Sequence, residues 1–206
     1  MTAWQEVEQA EPEFTQRVRA LFDAHRHKTI ATLRADGAPR ISGVEAVFED
    51  GDLVFGSMPA ARKGADLRRD PRFALHSATV DPVDGSEAQW PGEAKISGRA
   101  IAAGPITGGP DGDRFHADIA EVVHTHLNEE ATMLVVEWWT PAHGLRRIER
   151  ELRRGSGRRL AAGTRSPTAQ RLTRLVCRHR RPPSRSPPRY GETGQPNPAT
   201  PRRVSG

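Results

Sequence analysis

Between residues 28 and 80 apolar and polar positions alternate in short runs broken by turn signals, which is the period of strands. Residues 29–33, TIATL, are rich in β-branched side chains and lead to Asp36-Gly37, a pair suited to the positive φ of a tight hairpin. In residues 39–48, Ser42, Val44, Ala46 and Phe48 fall on one face because strand side chains alternate. Asp50-Gly51 marks a second hairpin, and Leu53-Val54-Phe55 a third strand that ends at Gly56-Ser57. Two hairpins in succession predict an antiparallel meander. The pattern then changes: Pro59 suits the first turn of a helix and Pro71 ends it, so a short basic helix is expected between them.

The flanking segments extend this pattern. Residues 11–25 predict a helix with Pro12 in its first turn and a stripe of Phe14, Val18, Leu21, Phe22 and His25, packed on the sheet. Residues 72–79 form a fourth strand with Phe73 and Leu75 on one face, and residues 81–91 a polar loop containing Trp90. Residues 93–103 alternate Ala94, Ile96, Gly98 and Ala100 against Lys95, Ser97, Arg99 and Ile101. That polar, basic face suits either a groove for an anionic cofactor or solvent. Residues 104–112 are glycine-rich without the strand–GxGxxG–helix order, so a loop is expected. Residues 118–127, DIAEVVHTHL, fit helix or strand. Residues 133–139, MLVVEWW, are nearly continuously apolar and predict a central strand with one tryptophan on each side; residues 145–150 predict the last strand.

Charge divides the chain. The net +5 over 206 residues hides a body, residues 1–145, with 14 Lys+Arg against 23 Asp+Glu, a net −9. Residues 146–206 hold 17 Arg and 3 Glu, a net +14. An acidic body argues against a nucleic-acid partner, which needs a basic face. From residue 151 the composition turns to Arg, Pro, Ser and Gly, as in RRPPSRSPPR, with too little apolar surface to form a core. A disordered tail over 151–206 is therefore expected beside a folded domain over 1–150. Three origins fit it: an inert solvated tail, an electrostatic arm for a polyanion, or the product of a shifted reading frame in a GC-rich gene. Arg without Lys favours the first or the third. Cys177 is the single cysteine, so no disulfide forms within the chain, as in a reducing cytoplasm. No run of about 18 apolar residues marks a membrane span. The acidic N-terminus lacks the apolar stretch of a secretory signal.

Candidate chemistry is sparse. Arg62 and Lys63 stand at a helix start, where free backbone N–H groups suit an anion; on spacing alone a solvated basic face explains them better. His25-x-His27 and His124-x-His126 have same-face strand spacing, but neither has a nearby cysteine or an obvious third ligand, so no metal is expected. No Ser-His-Asp order or GxSxG elbow supports acyl hydrolysis.

The order strand, Gly56-Ser57, Arg62-Lys63-Gly64-x-x-Leu67-x-x-x-Pro71, strand resembles the flavin-binding core of the pyridoxamine 5'-phosphate oxidase-like family. The resemblance runs over residues 11–150, and its Trp138-Trp139…Gly144-Leu145-Arg146-Arg147 ending is similar to the actinobacterial branch, whose members use FMN or coenzyme F420. It implies a mainly β fold, an antiparallel split β-barrel of six or seven strands with an N-terminal helix and a short helix after the third strand. It implies that Arg62 and Lys63 hold the cofactor phosphate, with Ser57 before them and Arg40 from the second strand. Glu45 stands where the family usually carries a basic residue. The implied protein is a cytoplasmic homodimer binding FMN or F420 at the subunit interface, with Trp90, Trp138 and Trp139 as candidates for its apolar wall. It would be an oxidoreductase acting on a small organic substrate, with no catalytic side chain singled out. Oxidation of pyridoxamine phosphate itself is less favoured, because the additional substrate-phosphate residues of longer chains have no match. The alternative is a split barrel that binds a flavin or a haem-derived ligand without turnover. A nucleic-acid binder working through the arginine tail is the third reading.

Overall fold

The computed structural model describes residues 1–106 and 111–152. Two helices, α1 (Trp4–Ala10) and α2 (Pro12–Asp23), precede strands β1 (His27–Leu33), β2 (Pro39–Glu49) and β3 (Asp52–Ser57). Helix α3 (Arg62–Arg69) and strand β4 (Arg72–His76) follow. The last four strands are β5 (Glu93–Pro105), β6 (Asp113–Leu127), β7 (Met133–Thr140) and β8 (Gly144–Glu151). Both Asp-Gly hairpins form, with Gly37 and Gly51 at φ 82° and 81°.

The sheet order is β3-β2-β1-β4-β5-β6-β7-β8, and β3 also pairs with β6, so β1 to β6 close into an antiparallel barrel. β6 makes the closure possible by its length. One of its edges runs along β5. The other is shared, with residues 113–116 on β3 and residues 122–127 on β7. The barrel splits between these two pairings, and β7 and β8 extend the sheet beyond it.

A bulge sets the faces of β6. Ser97 pairs with Glu121 but Gly98 pairs with Ile119, so Ala120 is an extra residue. Phe115, Ala117 and Ile119 are buried before it; Val122 and His124 are buried after it. One inserted residue thus moves the inward positions from odd to even numbers.

The core joins the barrel interior to the two N-terminal helices. Phe14, Val18, Leu21 and Phe22 form the buried stripe of α2, while His25 lies beyond the helix and is exposed, so it does not extend the stripe. Trp4 and Val7 of α1, both 0% exposed, supply a second helix where one was expected. The Trp4 ring lies 4.4 Å from that of Phe48. Two apolar residues three apart suffice to bury one turn of a short helix, although the segment has no apolar run.

The closed barrel has six strands, within the expected six or seven, and β7 and β8 bring the sheet to eight. Residues 118–127 belong to a strand that starts earlier, at Asp113. β7 is paired on both sides, but outside the closed barrel. Trp139 enters the core at 6% exposure and Trp138 lies on the opposite face, one on each side as expected. No helix among the described residues is long and apolar enough to cross a membrane. Most of the predicted tail, from residue 153, lies outside the described residues.

Candidate functional site

The end of β3 and the start of α3 build the candidate site. Gly64 allows them to touch: a Cβ there would stand 2.6 Å from Ser57 Oγ and 3.1 Å from Asp113 Oδ2. Ala61, the residue before α3, offers no side-chain cap, and no acidic residue lies in the first turn. The first N–H groups of α3 therefore remain without an intrahelical acceptor, an arrangement suited to an anion.

Beside this helix end is a pocket of about 350 Å³ whose lining includes Ser57, Lys63, Gly43, Glu45 and Arg26. Ser57 is 1% exposed, and its Oγ makes only a long 3.4 Å contact to the Met58 carbonyl. Lys63 donates through Nζ to the Gly43 carbonyl at 2.7 Å. Burial lowers the Lys63 pKa, and the Glu45 carboxylate partly offsets this. Glu45 is neutralised in turn by Arg26, whose Nε lies 2.9 Å from Glu45 Oε2, and it faces His27 at 3.6 Å. His27 and Glu45 are paired residues of the β1–β2 ladder, which explains how the chain just before β1 delivers a guanidinium to an acidic position on β2.

The four residues expected to hold a phosphate are thus divided. Ser57 and Lys63 line the pocket together. Arg62 opens α3, exposed, with no hydrogen bond or ion pair among the described residues. Arg40 is absent from the pocket lining; its Nε donates to Asp66 Oδ2 at 2.6 Å. Asp66 also accepts from Thr32 Oγ1 at 3.0 Å and pairs with Arg69 at 3.1 Å. Arg40 therefore helps to fasten α3 to β1 and β2.

Arg26 and Gly43 are pocket residues that sequence reasoning missed. Arg26 lies one residue before β1, and only the ladder brings it to Glu45. An acidic residue in a basic binding run was the one signal that a compensating cation had to come from another strand. Trp90 is distant from the pocket in its contacts: its Nε1 donates to the Val80 carbonyl at 2.6 Å.

The family model for pyridoxamine 5'-phosphate oxidase matches residues 14–124, from the first turn of α2 into the second half of β6. The chain belongs to this family. Among solved structures it is similar to PhzG from Burkholderia lata 383 in complex with tetrahydrophenazine-1-carboxylic acid. That match has 10% identity and a TM-score of 0.50, over 74% of this chain and 98% of that one. It is also similar to a pyridoxamine 5'-phosphate oxidase-related, FMN binding protein from Nostoc punctiforme PCC 73102, at 10% identity and TM-score 0.49, over 69% and 96% of the two chains. A heme binding protein from Mycobacterium smegmatis matches at 13% identity and TM-score 0.41, over 66% and 87%. At these identities the likeness is one of fold. No curated protein sequence matches the chain significantly.

Proposed function

We propose that the protein is an oxidoreductase that binds FMN or coenzyme F420 and acts on a small organic substrate. The observation that carries this reading is the Ser57–Lys63 pocket beside the uncapped start of α3. It combines a buried hydroxyl, an ammonium and free backbone N–H groups, the donors a phosphate monoester accepts from. Arg62, outside the pocket lining but next to Lys63 in sequence and without a partner among the described residues, supplies a second cation. Arg26 offsets the Glu45 charge that would otherwise repel the anion. When bound, a flavin or deazaflavin supplies hydride transfer; the chain's part is to anchor the phosphate and exclude water. Arg40 contributes through Asp66, holding α3 in place.

The working unit in this reading is a homodimer. The outward face of β2 supports it, with Ile41 76% and Val47 50% exposed on a strand whose other face is packed in the core.

The test is a pair of fluorescence titrations of the purified chain, with FMN and with F420, on wild type and Lys63→Ala. One cofactor is expected to bind, and the variant to weaken it by at least tenfold. Affinity should also fall as pH rises toward the lowered pKa of Lys63, earlier than for an ordinary lysine. Binding of neither cofactor by a folded, dimeric wild type would sink the flavoenzyme reading. Tight binding without oxidation of the reduced cofactor by any acceptor would leave a binding protein.

A further inference from the structure

On the far side of the barrel split, the β6–β7 ladder places His124 directly opposite Glu137. His126 lies two residues along the same face as His124, so all three side chains meet. The His124 and His126 rings stack with centroids 4.6 Å apart. Glu137 Oε2 lies 3.5 Å from His124 Nδ1 and 3.3 Å from His126 Nε2. Both of those ring nitrogens are buried and have no hydrogen-bond partner.

The other ring nitrogens explain why. His126 Nδ1 lies 2.8 Å from the Leu127 carbonyl, and His124 Nε2 3.5 Å from the Pro91 carbonyl. A carbonyl only accepts, so the 2.8 Å contact assigns a hydrogen to His126 Nδ1, and the long Pro91 contact favours the same on His124 Nε2. In the neutral rings His124 Nδ1 and His126 Nε2 are then acceptors, and both lie within 3.5 Å of Glu137 Oε2. Gly92 permits the approach of the Pro91 carbonyl: at φ 88°, a Cβ there would stand 2.3 Å from the Thr125 carbonyl oxygen and 3.1 Å from His124 Nε2.

One potential ligand atom from each of the three residues lies within 4.8 Å of the other two, a spacing that a single cation can bridge. We propose that His124, His126 and Glu137 form a binding site for a zinc-like divalent cation. The donor set is two imidazoles and one carboxylate, and each ring's second nitrogen is held by a carbonyl, as a metal-bound histidine requires. Ligands about 2.0–2.1 Å from a tetrahedral zinc stand about 3.3–3.4 Å from one another, close to the two separations observed here. The site borders a cleft of about 570 Å³ lined in part by His126, Glu137, Arg17 and Glu11, from which a fourth ligand could come. Arg17 Nη2 now holds Glu137 Oε2 at 2.7 Å and is the competitor that a metal displaces; its side chain is 42% exposed and has room to swing into that cleft. The site shares no residue with the Ser57–Lys63 pocket and stands independently of the flavin reading.

The test uses the full chain, without an affinity tag and with Cys177→Ser and His179→Gln so that neither can supply a ligand. Titration with Co2+ should give visible d–d bands that saturate at one equivalent, and Zn2+ should displace them. His126→Ala and Glu137→Gln should each weaken binding by at least tenfold, while Arg17→Ala should bind as well or more tightly. Zn2+ should raise the Tm of the parent chain but not of folded Glu137→Gln. The site is overturned if the folded parent chain shows no bands and no Tm rise. It is equally overturned if binding is unchanged in both ligand variants or weakened in Arg17→Ala.

Discussion

At Asp66 a carboxylate that is 3% exposed meets Thr32, Arg40 and Arg69 from three different elements. Burial opposes its ionisation, but the hydrogen bonds from Arg40, Arg69 and Thr32 outweigh it and hold the carboxyl below its ordinary value. A carboxyl whose folded pKa is depressed stabilises the fold above its unfolded pKa, here 3.8, and loses that contribution as pH falls through its folded value. Asp66→Asn should therefore cost on the order of 2–3 kcal/mol in urea unfolding at pH 7. That is less than a fully buried pair, because Arg69 is two-fifths exposed. Its stability should also change less than wild type between pH 5 and pH 2, about the acid range of a carboxylate. Equal urea midpoints for the two proteins would show that the cluster carries no net stabilisation. The residues of this cluster were legible singly. Their partnership was not, because Arg40 and Asp66 are 26 positions apart and the basic pattern of α3 does not show which charge turns inward.

The long strand β6 depends on the bulge opposite Gly98. A Cβ at Gly98 would stand 2.0 Å from the Asp118 carbonyl oxygen and 3.1 Å from the Ala120 nitrogen, both backbone atoms that cannot swing aside. Gly98→Ala should then cost about 2–4 kcal/mol and lower the Tm by several degrees, read by thermal unfolding. A variant as stable as wild type would mean that the two strands can re-register without the bulge. Strand periods marked Gly98 as an inward position of β5, and β1, β2 and β4 followed their alternation closely. They left residues 118–127 between helix and strand, because the bulge breaks the alternation of β6 at Ala120. The same break hid the third ligand at Glu137: its pairing with His124 follows from the hairpin over residues 128–132, and that hairpin is evident only once β6 is a strand.

Across the whole molecule, the acidic body and the arginine-rich end make opposite electrostatic predictions. Deleting residues 155–206 should leave cofactor affinity and dimerisation unchanged, measured by the same titration and by light scattering. It should also abolish any retention on a polyanion column at low salt, since residues 1–145 carry −9. Loss of cofactor affinity on deletion would make the tail part of the working protein. Local signals determined much of the body: hairpins at Asp-Gly pairs, the α2 stripe, the inward residues of β2 and β5, and the helix bounded by Pro59 and Pro71. Each rests on a backbone preference or a period that acts over a few residues. The family resemblance rests on the same short range, through the Arg62-Lys63-Gly64 run and its distance from Ser57. Tertiary structure alone decided which distant charges meet. It set Arg40 on Asp66, Arg26 on Glu45 and two histidines on Glu137, because strand register and closure of the barrel are properties of the packed sheet. A side chain's own neighbours in sequence carry no record of them.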